Sequence, residues 1–266
     1  MLEKIAQYVP PSIKANKIFR GFLWPFLNCI SYGDKMYLNY NYRLHSSKLK
    51  KFTGIHKGQR CFIIGTGPSL NQTNLSLLKD ELIFGVNTLY TGLDKFGITC
   101  AYYAVSDGII WRNHYKEILG IDTALFLGGE AGKEYLSDLK LFRKFQKTKP
   151  LVVRQLGYIE DSSCFSRDIS KGHYEHTTVI IDMCLQVAYY LGFKEVYLLG
   201  CDCDYSGLHR FDGSTTDNPH GREWDDVFVA YEMCKKFYEE DGREIINATV
   251  GGKLEVFKRK KLEELI

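Results

Sequence analysis

The sequence predicts an α/β fold: a Rossmann-like, mostly parallel sheet with helices on both faces, preceded by a basic, aromatic-rich N-terminal arm. Three observations carry this. Short apolar runs recur at Cys61–Ile64, Leu82–Val86, Tyr102–Val105, Ala124–Leu127 and Val196–Leu199, as suits strands buried on both sides. Helical patterns alternate with them, which implies parallel pairing through crossovers. Each run ends in glycine or near a small polar residue, so groups able to hold a ligand collect at the carboxyl ends of the strands.

The elements follow in order, with an arm over residues 1–57 and a nucleotide-binding transferase body over residues 58–266. Residues 1–50 read as irregular and partly helical, aromatic from Tyr37 to Tyr42 and basic from Ser46 to Lys51. The first strand ends at Ile64 and empties into Gly65-Thr66-Gly67-Pro68-Ser69. Glycine permits a sharp turn and lets a phosphate approach without meeting a Cβ. A helix is expected from Leu70 to Leu78, capped by Ser69 or Asn71, with free backbone N–H groups beside the turn. The pattern lacks both the Gly-Lys-Ser/Thr of a Walker A loop and the third glycine of the dinucleotide fingerprint. The second strand ends at Asn87 and the third in Ser106-Asp107; a fourth precedes Gly128-Gly129, and a weaker fifth covers Leu151 to Val153. Glu160 to Glu175 has the composition of a surface loop or lid. His176-Thr177-Thr178 introduces an amphipathic helix from Val179 to Leu191, stopped by Gly192. The strand Glu195 to Leu199 runs through Gly200 into Cys201-Asp202-Cys203-Asp204-Tyr205. A second polar loop, Ser206 to Asp226, leads to a helix from Val227 to Glu240, a last strand from Glu244 to Ile246 and a charged helical tail. Thr66, Asn87, Asp107, Asp202 and Asn247 therefore converge at strand ends.

Composition narrows the class. Of 266 residues, 45% are hydrophobic and 25% charged, the balance of a soluble globular protein with a sizeable core. The eight cysteines form no Cys-x-x-Cys pair, which argues against a zinc site or disulfide framework and for reduced thiols in a cytoplasmic protein. The net charge of +3 divides unevenly: residues 1–60 carry +9 and the remainder −6. Such an arm suits an anionic membrane surface or a second subunit of a homo-oligomer; no nucleic-acid partner is expected. Ile18 to Ile30 is too short and too broken by Arg20 and Pro25 to span a bilayer, and no signal-peptide cleavage pattern follows it. Its place is the inner face of the cytoplasmic membrane, as an interfacial anchor, or a packing surface.

From Gly65 to Leu70 the sequence resembles the bacterial sialyltransferases of glycosyltransferase family 42, which open with a strand and Gly-Asn-Gly-Pro-Ser-Leu. The resemblance continues at Asn87 and at Leu191-Gly192-Phe193-Lys194-Glu195-Val196-Tyr197-Leu198-Leu199-Gly200-Cys201-Asp202. The chain also resembles the 6-hydroxymethylpterin diphosphokinase MptE-like domain family, more closely because Asn247-Ala248-Thr249-Val250-Gly251-Gly252 is similar to that group's ending. The sialyltransferase resemblance implies that Gly65, Thr66, Gly67, Pro68, Ser69, Asn87, Thr177 and Thr178 contact a CMP donor. It also implies that His220, in Asp217-Asn218-Pro219-His220, is the general base, and that Tyr205 holds the departing phosphate. Thr66 stands where that family carries asparagine, and Phe211 lacks the hydroxyl of its second phosphate-binding tyrosine.

The chemistry leaves alternatives open. His173 and His176 compete with His220 as base, and His209 and Arg210 are candidates for phosphate. Asp107 is a ribose or base contact, or a turn residue. Asp202 and Asp204, two residues apart, would together hold Mg²⁺ in a phosphotransferase; Asp202 otherwise caps backbone amides. Asn247 and Thr249 read as turn formers. Three functions fit: transfer of a sugar from a nucleotide donor, CMP-activated, to a surface-polysaccharide or lipid-linked glycan acceptor, with no cofactor required; Mg²⁺-dependent transfer of pyrophosphate from ATP to a pterin-like alcohol; and a non-catalytic nucleotide-binding module of polysaccharide assembly.

Overall fold

A computed structural model describes residues 24–142, 144, 145, 147, 149–158, 164–176, 178–204, 210–214 and 225–266. Residues 18–23 of the expected anchor (Ile18 to Ile30), together with Thr177, Tyr205, His209 and His220, lie outside them. The chain divides into two compact units, 1–44 and 45–266. In the first, the described part is the beginning of helix α1 (Trp24–Leu49); of the basic connector expected at Ser46 to Lys51, residues 46–49 are helical and Lys50 and Lys51 fall in a 3₁₀ turn, Lys50–Phe52. Among the described residues no helix is long and apolar enough to cross a membrane.

The second unit is built on a seven-stranded sheet: β1 (Arg60–Ile64), β2 (Ile83–Val86), β3 (Tyr102–Val105), β4 (Ala124–Leu127), β5 (Leu151–Val152), β8 (Glu195–Leu199) and β9 (Glu244–Asn247). The order is β5-β4-β3-β2-β1-β8-β9, and every neighbouring pair is parallel. The chain works outward from β1 through β5, then returns to the other side of β1 with β8. The strand order reverses between β1 and β8, and a crevice opens there beyond the carboxyl ends.

Both faces are covered. Cys61, Ile63, Phe84, Tyr102, Phe126, Val196 and Leu198 form one buried cluster with residues 179–191 and with Tyr231 and Tyr238 of helix α7 (Asp225–Glu240). The alternate residues Phe62, Ile64, Tyr103, Leu125, Leu127 and Leu199 are equally buried on the opposite face, as the two-residue period requires. Trp111 of helix α3 (Gly108–Leu119) meets Tyr135 of helix α4 (Gly129–Ser137) edge-on at 6.0 Å between ring centroids. A short helix α2 (Leu93–Phe96) follows β2, and α5 (Leu139–Phe142) follows α4.

Several elements differ from expectation. Residues 70–78 lie in two 3₁₀ turns, Pro68–Gln72 and Leu75–Leu78, in place of the expected helix; Leu70 N and Thr73 N bond three residues back, to Gly67 O and Leu70 O. Val179 to Leu191 is not amphipathic: every residue in it is buried. Its first half is a π-helix, Ile180–Leu185, running into α6 (Gln186–Leu191). Gln186 accounts for the wider turn. Its amide donates to Ile181 O at 3.0 Å, five residues back, to Asp182 O at 2.9 Å and to Tyr174 O at 2.8 Å. Its carbonyl accepts from the backbone N–H groups of Ser166 and Tyr174. The polar stretch after β5 holds a two-stranded parallel ribbon, β6 (Gln155–Tyr158) and β7 (His173–Glu175), in place of an uninterrupted loop. The tail is not helical beyond one 3₁₀ turn, Leu262–Glu264; Lys258 O and Lys260 N bond to Asn247 instead.

Candidate functional site

A cleft of about 570 Å³ lies at the strand-order reversal. Thr66, Asn87, Asp107, Thr178 and Asp202 all line it, with Gly65 and Gly67. Asn247 does not: it is fully buried, donating to Leu254 O at 2.7 Å and accepting from Thr249 N at 2.9 Å. Thr249 Oγ1 in turn accepts from Cys201 N at 3.1 Å, so this pair shapes the β8 turn from behind.

The glycine turn after β1 is packed against the turn after β8. Gly65 N donates to Leu199 O at 2.8 Å and Gly67 N to Gly200 O at 2.9 Å. Asp202 Oδ1 accepts from Ser69 N at 3.1 Å and Oδ2 from Ser69 Oγ at 2.8 Å. Burial raises the Asp202 carboxyl above its ordinary range, against the lowering effect of the Ser69 bonds. A Cβ on Gly67 would overlap the Asp202 carboxylate, and one on Gly65 would overlap Gly200 O. The glycines therefore make room for the β8 turn. The expected free N–H groups at a helix N-terminus are absent here, because those of Gly65, Gly67 and Ser69 already have protein acceptors.

Asp204 is also engaged: its Oδ1 lies 3.0 Å from Lys253 Nζ. Among the described residues no group of three or more His, Cys, Asp or Glu is placed to hold a metal ion. Asp107 caps α3, its Oδ1 accepting from Ile109 N at 2.6 Å and Ile110 N at 3.0 Å. This fixes the third strand's end as a helix start.

Asn87 differs from these. It sits at the end of β2 in the left-handed region, φ +48, held by Tyr103 Oη donating to its carbonyl at 2.9 Å. Its side-chain Oδ1 is buried and has no hydrogen-bond partner among the described residues. Strain and an unmet buried acceptor together mark a position kept for something other than stability.

The histidines separate clearly. His173 is fully buried, not at the cleft mouth as expected. Its Nε2 accepts from Gly129 N at 3.2 Å, and burial lowers its pKa to about 4. A neutral, enclosed imidazole that already uses this nitrogen is structural. His176 lines the cleft, where its backbone N–H donates to the buried Asp182 carboxylate. Arg210 lines it too. The neighbouring Phe211 N donates to Thr66 O at 2.9 Å, Asn71 Nδ2 donates to Phe211 O at 2.8 Å, and the Phe211 ring packs on Phe96. Phe211 thus anchors the segment against the glycine turn, and its ring is not a phosphate contact.

The opposite wall contains residues that sequence reasoning missed: Glu130 and Lys133 of α4, Gln155 and Tyr158 of β6, and Glu175 of β7. Lys133 Nζ donates to Gln155 Oε1 at 2.8 Å. The available signal was Gly128-Gly129 after β4, which starts a helix at the sheet's carboxyl edge with Glu130 and Lys133 three residues apart on one face.

The family model of 6-hydroxymethylpterin diphosphokinase MptE-like proteins matches residues 34–207. Among solved structures, the chain is similar to that of the MAf glycosyltransferase from Magnetospirillum magneticum AMB-1, at 16% identity and a TM-score of 0.47. That similarity covers 82% of this chain and 38% of the other, so the chain spans well under half the length of that protein. No curated protein matches the chain.

Proposed function

The chain belongs to the 6-hydroxymethylpterin diphosphokinase MptE-like family, and we propose that it transfers a sugar from a CMP-activated donor to a hydroxyl of a surface-polysaccharide or lipid-linked glycan. The observation that carries this reading is Asn87, a residue of the cleft wall whose buried Oδ1 has no donor among the described residues. An unmet buried acceptor costs about 1–3 kcal/mol, which an amino or hydroxyl group of a bound nucleotide removes. Asn87 lies one strand from the glycine turn, so a nucleotide that meets it also reaches Thr66, Thr178 and Arg210.

In the transfer, the acceptor oxygen attacks the anomeric carbon as the bond from that carbon to the donor phosphate breaks. The phosphate leaves with the electron pair, and the acceptor proton passes to a base. His220 is the assigned base, with His176 the histidine already at the cleft. Tyr205 and Arg210 stabilise the leaving phosphate. The basic arm holds the enzyme peripherally at an anionic membrane carrying the acceptor.

The diphosphokinase reading would place Mg²⁺ at Asp202 and Asp204. These residues do not fit that task as they stand, since Asp202 holds Ser69 and Asp204 pairs with Lys253. A thermal-shift panel of CMP, CDP, UDP, GDP and ATP, each with and without Mg²⁺, tests the proposal. Stabilisation by CMP in EDTA is expected, because a ligand of the native state raises its apparent stability. Stabilisation by ATP with Mg²⁺ alone would sink it, and CMP binding without any transfer would leave a non-catalytic module.

A further inference from the structure

The cleft has two unlike ends. One is the glycine turn, Asn87 and Arg210. The other, the wall of Glu130, Lys133, Gln155, Tyr158 and Glu175, plays no part in the nucleotide reading above. Tyr158 and Glu175 are register partners in the β6–β7 ribbon, so their side chains leave it on the same side. Tyr158 is 57% exposed although it lines a cleft. Glu130 lies against the start of α3, where a Cβ on Gly108 would come within 2.6 Å of Glu130 Oε2. None of the described residues hydrogen-bonds or ion-pairs with it. Lys133 is steadied by Gln155 at 2.8 Å.

We propose that this wall is the acceptor subsite and takes the terminal ring of a neutral carbohydrate. The proposal rests on the glycosyl-transfer reading. The Tyr158 ring packs on the C–H face of the sugar, Glu130 accepts from ring hydroxyls, and Lys133 donates to an oxygen of the same ring. An open wall with one aromatic and several hydrogen-bonding groups suits a polyhydroxylated ring. A flat heterocycle such as a pterin needs apolar surface against both faces, and the two carboxylates, Glu130 and Glu175, disfavour an anionic sugar.

Saturation-transfer NMR on the full chain with CMP present tests this, using galactose, N-acetylglucosamine, lactose and 6-hydroxymethylpterin as probes. The expected result is saturation of ring C–H protons in at least one sugar. That signal should fall by about fivefold in Tyr158→Ala, as loss of an aromatic contact implies, and comparably in Glu130→Gln, with the CMP thermal shift of both variants unchanged. The proposal is overturned if no sugar receives saturation, if the pterin alone does, or if either variant leaves the sugar signal intact. The retained CMP shift shows that the variants fold. Absence of any CMP shift in the wild type would instead fell the donor reading, and loss of sugar signal in both variants would still uphold the subsite.

Discussion

Replacing Gly67 by alanine separates two explanations of the glycine turn. The backbone there, φ −65 and ψ 156, is one that alanine adopts without strain, so substitution would ordinarily stabilise by about 0.4–1 kcal/mol through the unfolded state. The structure predicts the opposite sign. The new methyl group would occupy the position of the Asp202 carboxylate and approach Gly200 O to 2.7 Å. Asp202 must then withdraw from Ser69, which is itself only 3% exposed. Each charge-assisted bond contributes about 1.5–3 kcal/mol, so the loss for Gly67→Ala should be about 3–5 kcal/mol. Asp202→Ala should cost a similar amount. In that background Gly67→Ala meets only Gly200 O, so the pair should fall short of additivity by about 2 kcal/mol. Urea denaturation of the four proteins without nucleotide measures both quantities. The reasoning is refuted if Gly67→Ala is as stable as wild type while losing CMP binding, or if the two substitutions are additive.

Four further outcomes are expected. Asn87→Ala should keep or gain stability in the ligand-free protein and lose most of the CMP thermal shift, because it removes a buried acceptor that has no donor among the described residues. His220→Ala should abolish transfer with CMP binding intact; unchanged turnover would move the base role to His176. Gln186→Leu should cost about 3–5 kcal/mol in urea, since it orphans the buried amides of Ser166 and Tyr174 together with three carbonyl contacts. Stability should also fall with acid. Burial holds His173 near pKa 4, and burial with the Lys48 charge does the same for His45. Each is neutral in the fold, whereas the unfolded chain takes up a proton below about pH 6.5. Stability is thus full above that pH and declines toward pH 4, by about 3 kcal/mol from His173 alone. The urea midpoint between pH 7 and 4.5 reports this, and His173→Gln should flatten the slope.

The central strands were legible because burial on both faces leaves a continuous apolar signature, as in Phe62-Ile63-Ile64 and Tyr103-Ala104-Val105. The β6–β7 ribbon was not: Gln155-Leu156-Gly157-Tyr158 is short and half exposed, so neither period nor composition set it apart from loop. The π-helix was hidden for a different reason. Asp182 and Gln186 look like the polar face of an amphipathic helix, but both are buried, and Gln186's partners include Ser166 and Tyr174 outside that helix. At the site, Asn87 and Asp107 were readable as strand-end residues. The fate of Ser69 was not, because the acceptor of its amide lies 133 residues away on Asp202. His173 reads as a loop residue until Gly128 and Gly129 bring the backbone against its ring.

That long-range pairing changes what the glycine turn does. Its amides hold the β8 turn through Leu199 O, Gly200 O and Asp202, so Gly65, Gly67 and Ser69 have no free backbone donors for a phosphate. Under the proposed transfer, a donor phosphate would be met by side chains. Arg210 lies in the cleft because Phe211 is tied to Thr66 O and to Asn71, which makes the turn a mount for the charged group.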